Sequence, residues 1–237
     1  PMLLSALGLF TTCWNVAVMA APTPLRPEVN AFIGEMVEKH AFERELLERL
    51  FTTAKFQPAI ITAISRPASS RPWHEYRSLF VNPKRVAGGI AFWDSHAVTL
   101  ARAQKEFGIP EEIITGLIGV ETIYGSQTGK HQVLDALITL AFDYPSRAVF
   151  FRSELENYLL LVRERGTEAL SLKGSYAGAI GIPQFMPSSY RRYAVDFDSD
   201  GKIDLSNNPV YAIVNVANYL KAFDCEEDGT VDVLEQI

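Results

Sequence analysis

The chain has 237 residues, of which 48% are apolar and 21% charged, with a net charge of −6 at pH 7. These values suit a soluble globular protein of one large domain or two small ones. The acidic balance and the lack of a basic cluster argue against a nucleic-acid partner, and no Gly-rich stretch ends in the Lys-Ser/Thr of a phosphate loop.

Residues 2–21 carry no charge and lead to Val18-Met19-Ala20, small residues of the kind a signal peptidase reads. Residues 1–21 therefore read as an export signal, with an uncleaved membrane anchor as the alternative. Cys13 lies within them after Phe10-Thr11-Thr12, a poor match to a lipoprotein acceptor. Once that segment is removed only Cys225 remains, and no intrachain disulfide can form.

Helical spacing then dominates. Val29, Phe32, Ile33, Met36 and Val37 form an apolar stripe behind Pro27, which is placed to open a helix. Leu46, Leu47, Leu50 and Phe51 mark a second helix, and Ile60, Ile61 and Ile64 a third after Pro58. Pro67 to Pro72 reads as a loop. A long helix is expected over 83–107, stopped by Gly108 and Pro110. The next helix should start at Pro110 and end at Gly125. Others are expected over 133–142, from Pro145 through 161, and over 212–223. Strand-like alternation is scarce, so the fold reads as mainly α.

The helix after Pro110 carries Ile113, Ile114, Leu117, Ile118 and Val120, and within this apolar run stands one carboxylate, Glu121. The pattern reads as a helix buried on more than one face. Burial opposes ionisation, raises a carboxyl pKa and can keep a proton available for general acid catalysis. A buried Glu paired with an Arg, or capping backbone, fits the segment equally well.

Further along the chain come L-K-G-S-Y-A-G-A-I-G-I-P-Q-F-M-P-S-S-Y at 172–190 and R-R-Y-A-V-D-F-D-S-D-G-K-I-D-L behind it. Together with G-V-E-T-I-Y-G, W-H-E-Y-R-S-L-F, F-W-D-S and L-D-A-L-I-T-L-A-F-D-Y-P, these motifs span about residues 72–223. They resemble the lytic murein transglycosylases of the membrane-bound B type. The resemblance implies a lysozyme-like helical core at 81–237, an N-terminal helical part at 22–80, and a peptidoglycan glycan strand as substrate. With the export signal it implies a periplasmic location, attachment to the outer membrane through the N-terminal segment being the alternative to that segment's removal. Family members continue past the position of Ile237 into a small β-domain and a segment that helps close the groove. An incomplete cleft is therefore expected here.

Such enzymes need one carboxylate, because the muramoyl C6 hydroxyl replaces the second group that ordinary glycosidases use. The resemblance makes Glu121 the acid and then the base, and gives Ser175, Gln184, Tyr76 and Tyr124 to sugar binding. Tyr124 stands where many relatives carry Trp. Asp135 and Asp143 read as solvated helix edges as readily as site residues. A water-using muramidase and an inactive wall-binding protein are the competing readings.

Asp196, Asp198, Asp200, Lys202 through its carbonyl, and Asp204 match the first nine positions of an EF-hand loop at 196–207, with Gly201 at the turn. A solvated acidic turn is the plainer alternative. Asn207 takes the twelfth position. The resemblance places the closing carboxylate at Tyr211, so weak, structural Ca2+ binding is expected, and the chemistry itself requires no cofactor.

Overall fold

A computed structural model describes residues 24–65 and 72–223. The apolar segment at 1–21 with Cys13, most of the loop after Pro67, and Cys225 lie outside the described residues. The architecture is mainly α, as expected. Helices α1 (Pro27–His40), α2 (Arg44–Thr53), α3 (Pro58–Ile64) and α4 (Trp73–Phe80) precede the long α5 (Pro83–Phe107) and α6 (Glu111–Thr122). There follow β1 (His131–Gln132), α7 (Val133–Asp143), α8 (Ala148–Glu164), β2 (Lys173–Gly174), α9 (Pro187–Tyr193) and α10 (Pro209–Ala222). Strands β1 and β2 pair antiparallel, His131 opposite Gly174 and Gln132 opposite Lys173. Among the described residues, no helix is long and apolar enough to cross a membrane.

Prolines open α1, α3, α5, α9 and α10, where their missing N–H costs nothing. Asn82 also caps α5 by accepting from the Arg85 N–H, and Gly108 in the left-handed conformation (φ 79°) ends it. Two short helices, α4 and α9, show no apolar stripe in the sequence, since α4 buries no residue and α9 buries Pro187 and Tyr190 alone. The expected end of α6 also differs: the helix stops at Thr122, three residues before Gly125, because Ile123 and Tyr124 turn left-handed at φ 49° and 57°. One such non-glycine residue costs about 1–2 kcal/mol, and Ile is especially ill-suited to it.

Two apolar clusters form the core. One joins α1–α3 to α7, α8 and Tyr190 of α9, with Phe32, Met36, Leu47, Leu137, Phe151 and Tyr158 buried in it. The other packs α5, α6 and α10 through Phe92, Leu100, Ile114, Ile118, Ile213 and Val216.

Asp135 is not at a solvated edge. It is buried in α7, where its carboxylate accepts from the Lys55 N–H at 2.9 Å and the Gln57 side chain at 3.0 Å. Thr139, one turn on, accepts from the Gln57 N–H at 2.9 Å. The pair thus satisfies the backbone between α2 and α3, and the carboxylate is retained because buried donors need acceptors. Asp143 accepts from Arg26 at 2.6 Å and ties α7 to the start of α1. Asp135→Ala leaves the Lys55 N–H unpaired and should lower stability by about 1–3 kcal/mol. Thermal unfolding checks this, and an unchanged Tm would mean that water replaces the carboxylate without loss.

Candidate active site

The buried stripe of α6 is Ile114, Thr115, Ile118, Gly119 and Thr122, while Val120 is 45% exposed. The helix is therefore buried along one side, where its composition had suggested burial on more than one face. Glu121 sits at the border of that stripe. Leu117, one turn earlier on the same face, lines a cavity of about 120 Å³ with it. The remaining wall comes from Phe150 and Glu154 of α8, the segment from Pro183 through Ser189, and Tyr219 of α10. The cavity thus lies where the two apolar clusters meet, and its volume is that of a few water molecules.

Burial pushes the Glu121 carboxyl up to about 7. The cause is desolvation; no cation and no hydrogen bond opposes it among the described residues. Tyr219 is also held above the usual tyrosine range, first by burial and then by repulsion from Tyr193 and Glu121. It remains a neutral donor beside the acid. Its ring packs 5.1 Å from Phe185 and 5.2 Å from Tyr193. Tyr219 was not singled out from sequence, since an aromatic on the face of a helix otherwise read as core carries no distinguishing signal.

A second carboxylate lines the same cavity. Glu154 is buried, and both its oxygens are taken by Ser188: one accepts from the backbone N–H at 3.0 Å, the other from the hydroxyl at 2.6 Å. It holds the first turn of α9 to α8. Nothing in the spacing of residues along α8 would have paired it with Glu121.

Thr122 shapes the turn that carries the acid and fixes it to the wall opposite. Thr122, fully buried, donates to the Ile182 carbonyl at 2.8 Å and accepts from the Gly125 N–H at 3.0 Å. Gly181, at φ 76°, allows that wall to approach: a Cβ there would stand 2.4 Å from the Leu205 carbonyl oxygen.

Of the residues expected to meet sugars, Gln184 lines the cavity with Glu121. Its backbone is left-handed (φ 54°), and its amide donates to the Thr128 and Gly181 carbonyls at 3.1 and 2.7 Å. This leaves its carbonyl oxygen as the open acceptor. Ser175 does not line the cavity; its hydroxyl oxygen accepts from Ala177 and Ala179 N–H at 3.2 and 3.0 Å and shapes the turn after β2. Tyr76 lies on α4, its ring 4.9 Å from Phe80, also outside the cavity wall. Tyr124 packs inward on Phe92 and donates to the Arg85 carbonyl at 3.0 Å.

A larger depression of about 640 Å³ flanks Ile180 and Gly181 and includes Arg165, Lys173, Lys202 and Asp204. Its carboxyl, Asp204, is exposed and accepts from Ser206 and Asn207.

In the acidic loop, side-chain oxygens of Asp196, Asp198 and Asp200 lie within 4.8 Å of one another. One oxygen of Asp196 is buried without a partner, an environment that suits a cation. Asp204 is turned into its own bend and does not join them, and the Lys202 N–H is used on Asp200 at 2.7 Å. Tyr211, at the place of the missing carboxylate, donates to Asp198 at 2.6 Å. That bond is the main reason Asp198 is held below the usual carboxylate range. Three of the four expected carboxylates therefore converge, and one of the three is already engaged by a phenol.

The sequence profile of the family described as Transglycosylase SLT domain matches residues 24–235. Over 230 residues the chain is 44% identical to the membrane-bound lytic murein transglycosylase B of Escherichia coli (strain K12), covering 93% of this chain and 63% of that protein. The soluble lytic transglycosylase SltB1 of Pseudomonas aeruginosa superposes with a TM-score of 0.79 at 52% identity, over 83% of this chain and 67% of the other. The Escherichia coli lytic transglycosylase Slt35, solved in complex with calcium, gives 0.78 at 46% identity, over 83% and 63%. The described helices thus have the lysozyme-like arrangement of these structures.

The raised pKa of Glu121 makes stability depend on pH. With an unfolded value near 4.5 and a folded value near 7, the folded state binds more protons through that window. Stability is therefore greatest below the window and falls as pH rises through it. Gln lacks this dependence. The Tm difference between Glu121→Gln and wild type should move in the variant's favour from pH 5 to pH 8, by at least about 2 °C. A difference independent of pH would mean that Glu121 titrates as an exposed carboxyl.

Proposed function

Because this chain belongs to the Transglycosylase SLT domain family, we propose that it is a peptidoglycan lytic transglycosylase acting through Glu121 alone. The observation that carries this reading is a desolvated carboxyl, protonated to about pH 7, in a cavity whose other carboxylate is spent on Ser188.

Glu121 donates its proton to the glycosidic oxygen as the bond between N-acetylmuramic acid and N-acetylglucosamine breaks, and the glucosamine leaves with a free hydroxyl. The muramoyl C6 hydroxyl attacks its own C1 and closes a 1,6-anhydro ring. Its proton passes to the Glu121 carboxylate, which restores the acid. No water is consumed, and ring closure gains from proximity. Gln184, through its open carbonyl, and Tyr219, as a neutral donor, orient the sugars beside the acid. Ser175 and Tyr76, outside the cavity, are the candidates for contacts with sugars farther along the strand, and Tyr124 acts through the packing of α5 on α6. Export through the 1–21 segment would bring the enzyme to its polymer in the periplasm, and the membrane-bound relative favours that location.

A muramidase would need a carboxylate free to activate water opposite Glu121. Glu154 is the candidate the cavity offers, and its two accepted hydrogen bonds oppose that role. Wild-type product from sacculi should carry 1,6-anhydromuramoyl ends by mass spectrometry, and Glu121→Gln should lose at least about a hundredfold in turnover. Reducing ends would instead establish hydrolysis, and binding without product would establish a wall-binding protein.

The acidic loop fits Ca2+ as a weak structural ligand held by Asp196, Asp198 and Asp200, with no part in proton transfer. Millimolar Ca2+ should raise Tm slightly, and Asp196→Ala or Asp200→Ala should remove the increment. Tyr211→Asp, which frees Asp198 and adds a carboxylate, should enlarge it. No response in wild type or in Tyr211→Asp would identify a plain turn.

A further inference from the structure

The glycine pair at Gly88 and Gly89 in the interior of α5 weakens that helix without ending it, and nothing in the catalytic proposal uses it. Its place is explained by Tyr124. A Cβ on Gly89 or on Gly119 of α6 would lie 2.6 Å from the Tyr124 hydroxyl oxygen, and one on Gly88 would lie 3.2 Å from the ring. Three residues on two helices therefore lack side chains where this phenol passes. The hydroxyl donates to the Arg85 carbonyl at 3.0 Å, and the Arg85 guanidinium returns a hydrogen bond to the Gly119 carbonyl at 2.6 Å. Gly119 and Tyr124 bracket Glu121, and the turn that ends α6 holds Ile123 and Tyr124 itself in the left-handed region.

Resting on the reading of Glu121 as the acid, we infer that Tyr124 is a positioning residue. Its hydroxyl's bond to the Arg85 carbonyl, beside the Arg85 guanidinium's bond to the Gly119 carbonyl, forms a clasp in the glycine slot between α5 and α6 that sets the direction of the Glu121 carboxyl. Thr122 holds the same turn to Ile182 from the other side, so the clasp supplies the constraint facing α5. Without it the turn can relax toward ordinary helix or coil, and Glu121 swings toward water. The titratable groups around the acid are Glu154 on α8 and Tyr219 on α10, and Arg85 is the charged member of the clasp on α5; a substitution at Tyr124 alters none of them.

The test uses the whole chain with Tyr124→Phe, which keeps the ring and removes the bond, and with Arg85→Met. Turnover of glycan strands, Tm, and the titration of Glu121 by carboxyl carbon NMR, assigned with Glu121→Gln, are followed together. Tyr124→Phe should lower kcat roughly ten- to a hundredfold with KM within about twofold, since misplacement of a reacting group acts on the chemical step. The Glu121 midpoint should fall as water reaches it. The double variant should be no worse than the more harmful single one, as members of one unit are not additive. A lowered Tm with unchanged kcat and unchanged Glu121 midpoint would overturn the inference and leave Tyr124 as ordinary packing. If wild type yields no product but the Glu121 midpoint still falls in Tyr124→Phe, the positioning role stands and the enzymatic reading fails. Should Tyr124→Phe not fold, Gly89→Ala, whose Cβ would crowd the Tyr124 hydroxyl, tests the same contact by kcat and the Glu121 midpoint.

Discussion

A carboxyl that keeps its proton to about pH 7 must be held away from water without being given a cation, and much of the structure around α6 follows from that demand. The Glu121 cavity is small and lies between two apolar clusters, so neither cluster alone encloses it. Its shape depends on α6 ending where it does. Had the helix run on to Gly125, the residues after Glu121 would have continued along the α5 face. Instead the turn at Ile123 and Tyr124 folds the chain back toward Ile182, at a conformational cost that the hydrogen bonds of Thr122 and Tyr124 offset.

Four carboxylate environments show how surroundings assign roles to one chemical group. Among the described residues Glu121 has no hydrogen-bond partner, and burial pushes it toward the neutral acid. Glu154, in the same cavity, accepts from Ser188 with both oxygens and serves as an anchor. Asp135 is as deeply buried but answers backbone and amide donors between α2 and α3. Asp196, Asp198 and Asp200 gather at an exposed loop, where neighbouring N–H groups and the Tyr211 hydroxyl share their charge. Proximity of a second carboxylate therefore does not by itself make a two-carboxylate glycosidase; what each oxygen already accepts decides the matter.

The helical class, most helix positions and the unusual placement of Glu121 were legible in residue order. Helical periodicity, prolines at helix starts and glycine after α5 act locally, and local rules survive without knowledge of the partner surfaces. The motif resemblance likewise pointed to the family that the profile match establishes. Tertiary packing decided the rest. Asp135 looks like any polar residue at the start of a helix until Lys55 and Gln57 are brought over it from 80 and 78 residues away. Tyr219 and Glu154 acquire meaning because α10 and α8 converge on α6, and no spacing within either helix encodes that meeting. Tyr124 reads from sequence as a sugar-binding aromatic in the last turn of a helix; three glycines on two helices give it an interior slot. Periodicity specifies which face of a helix is apolar, whereas the polar atoms that meet across that face are set only when distant segments pack.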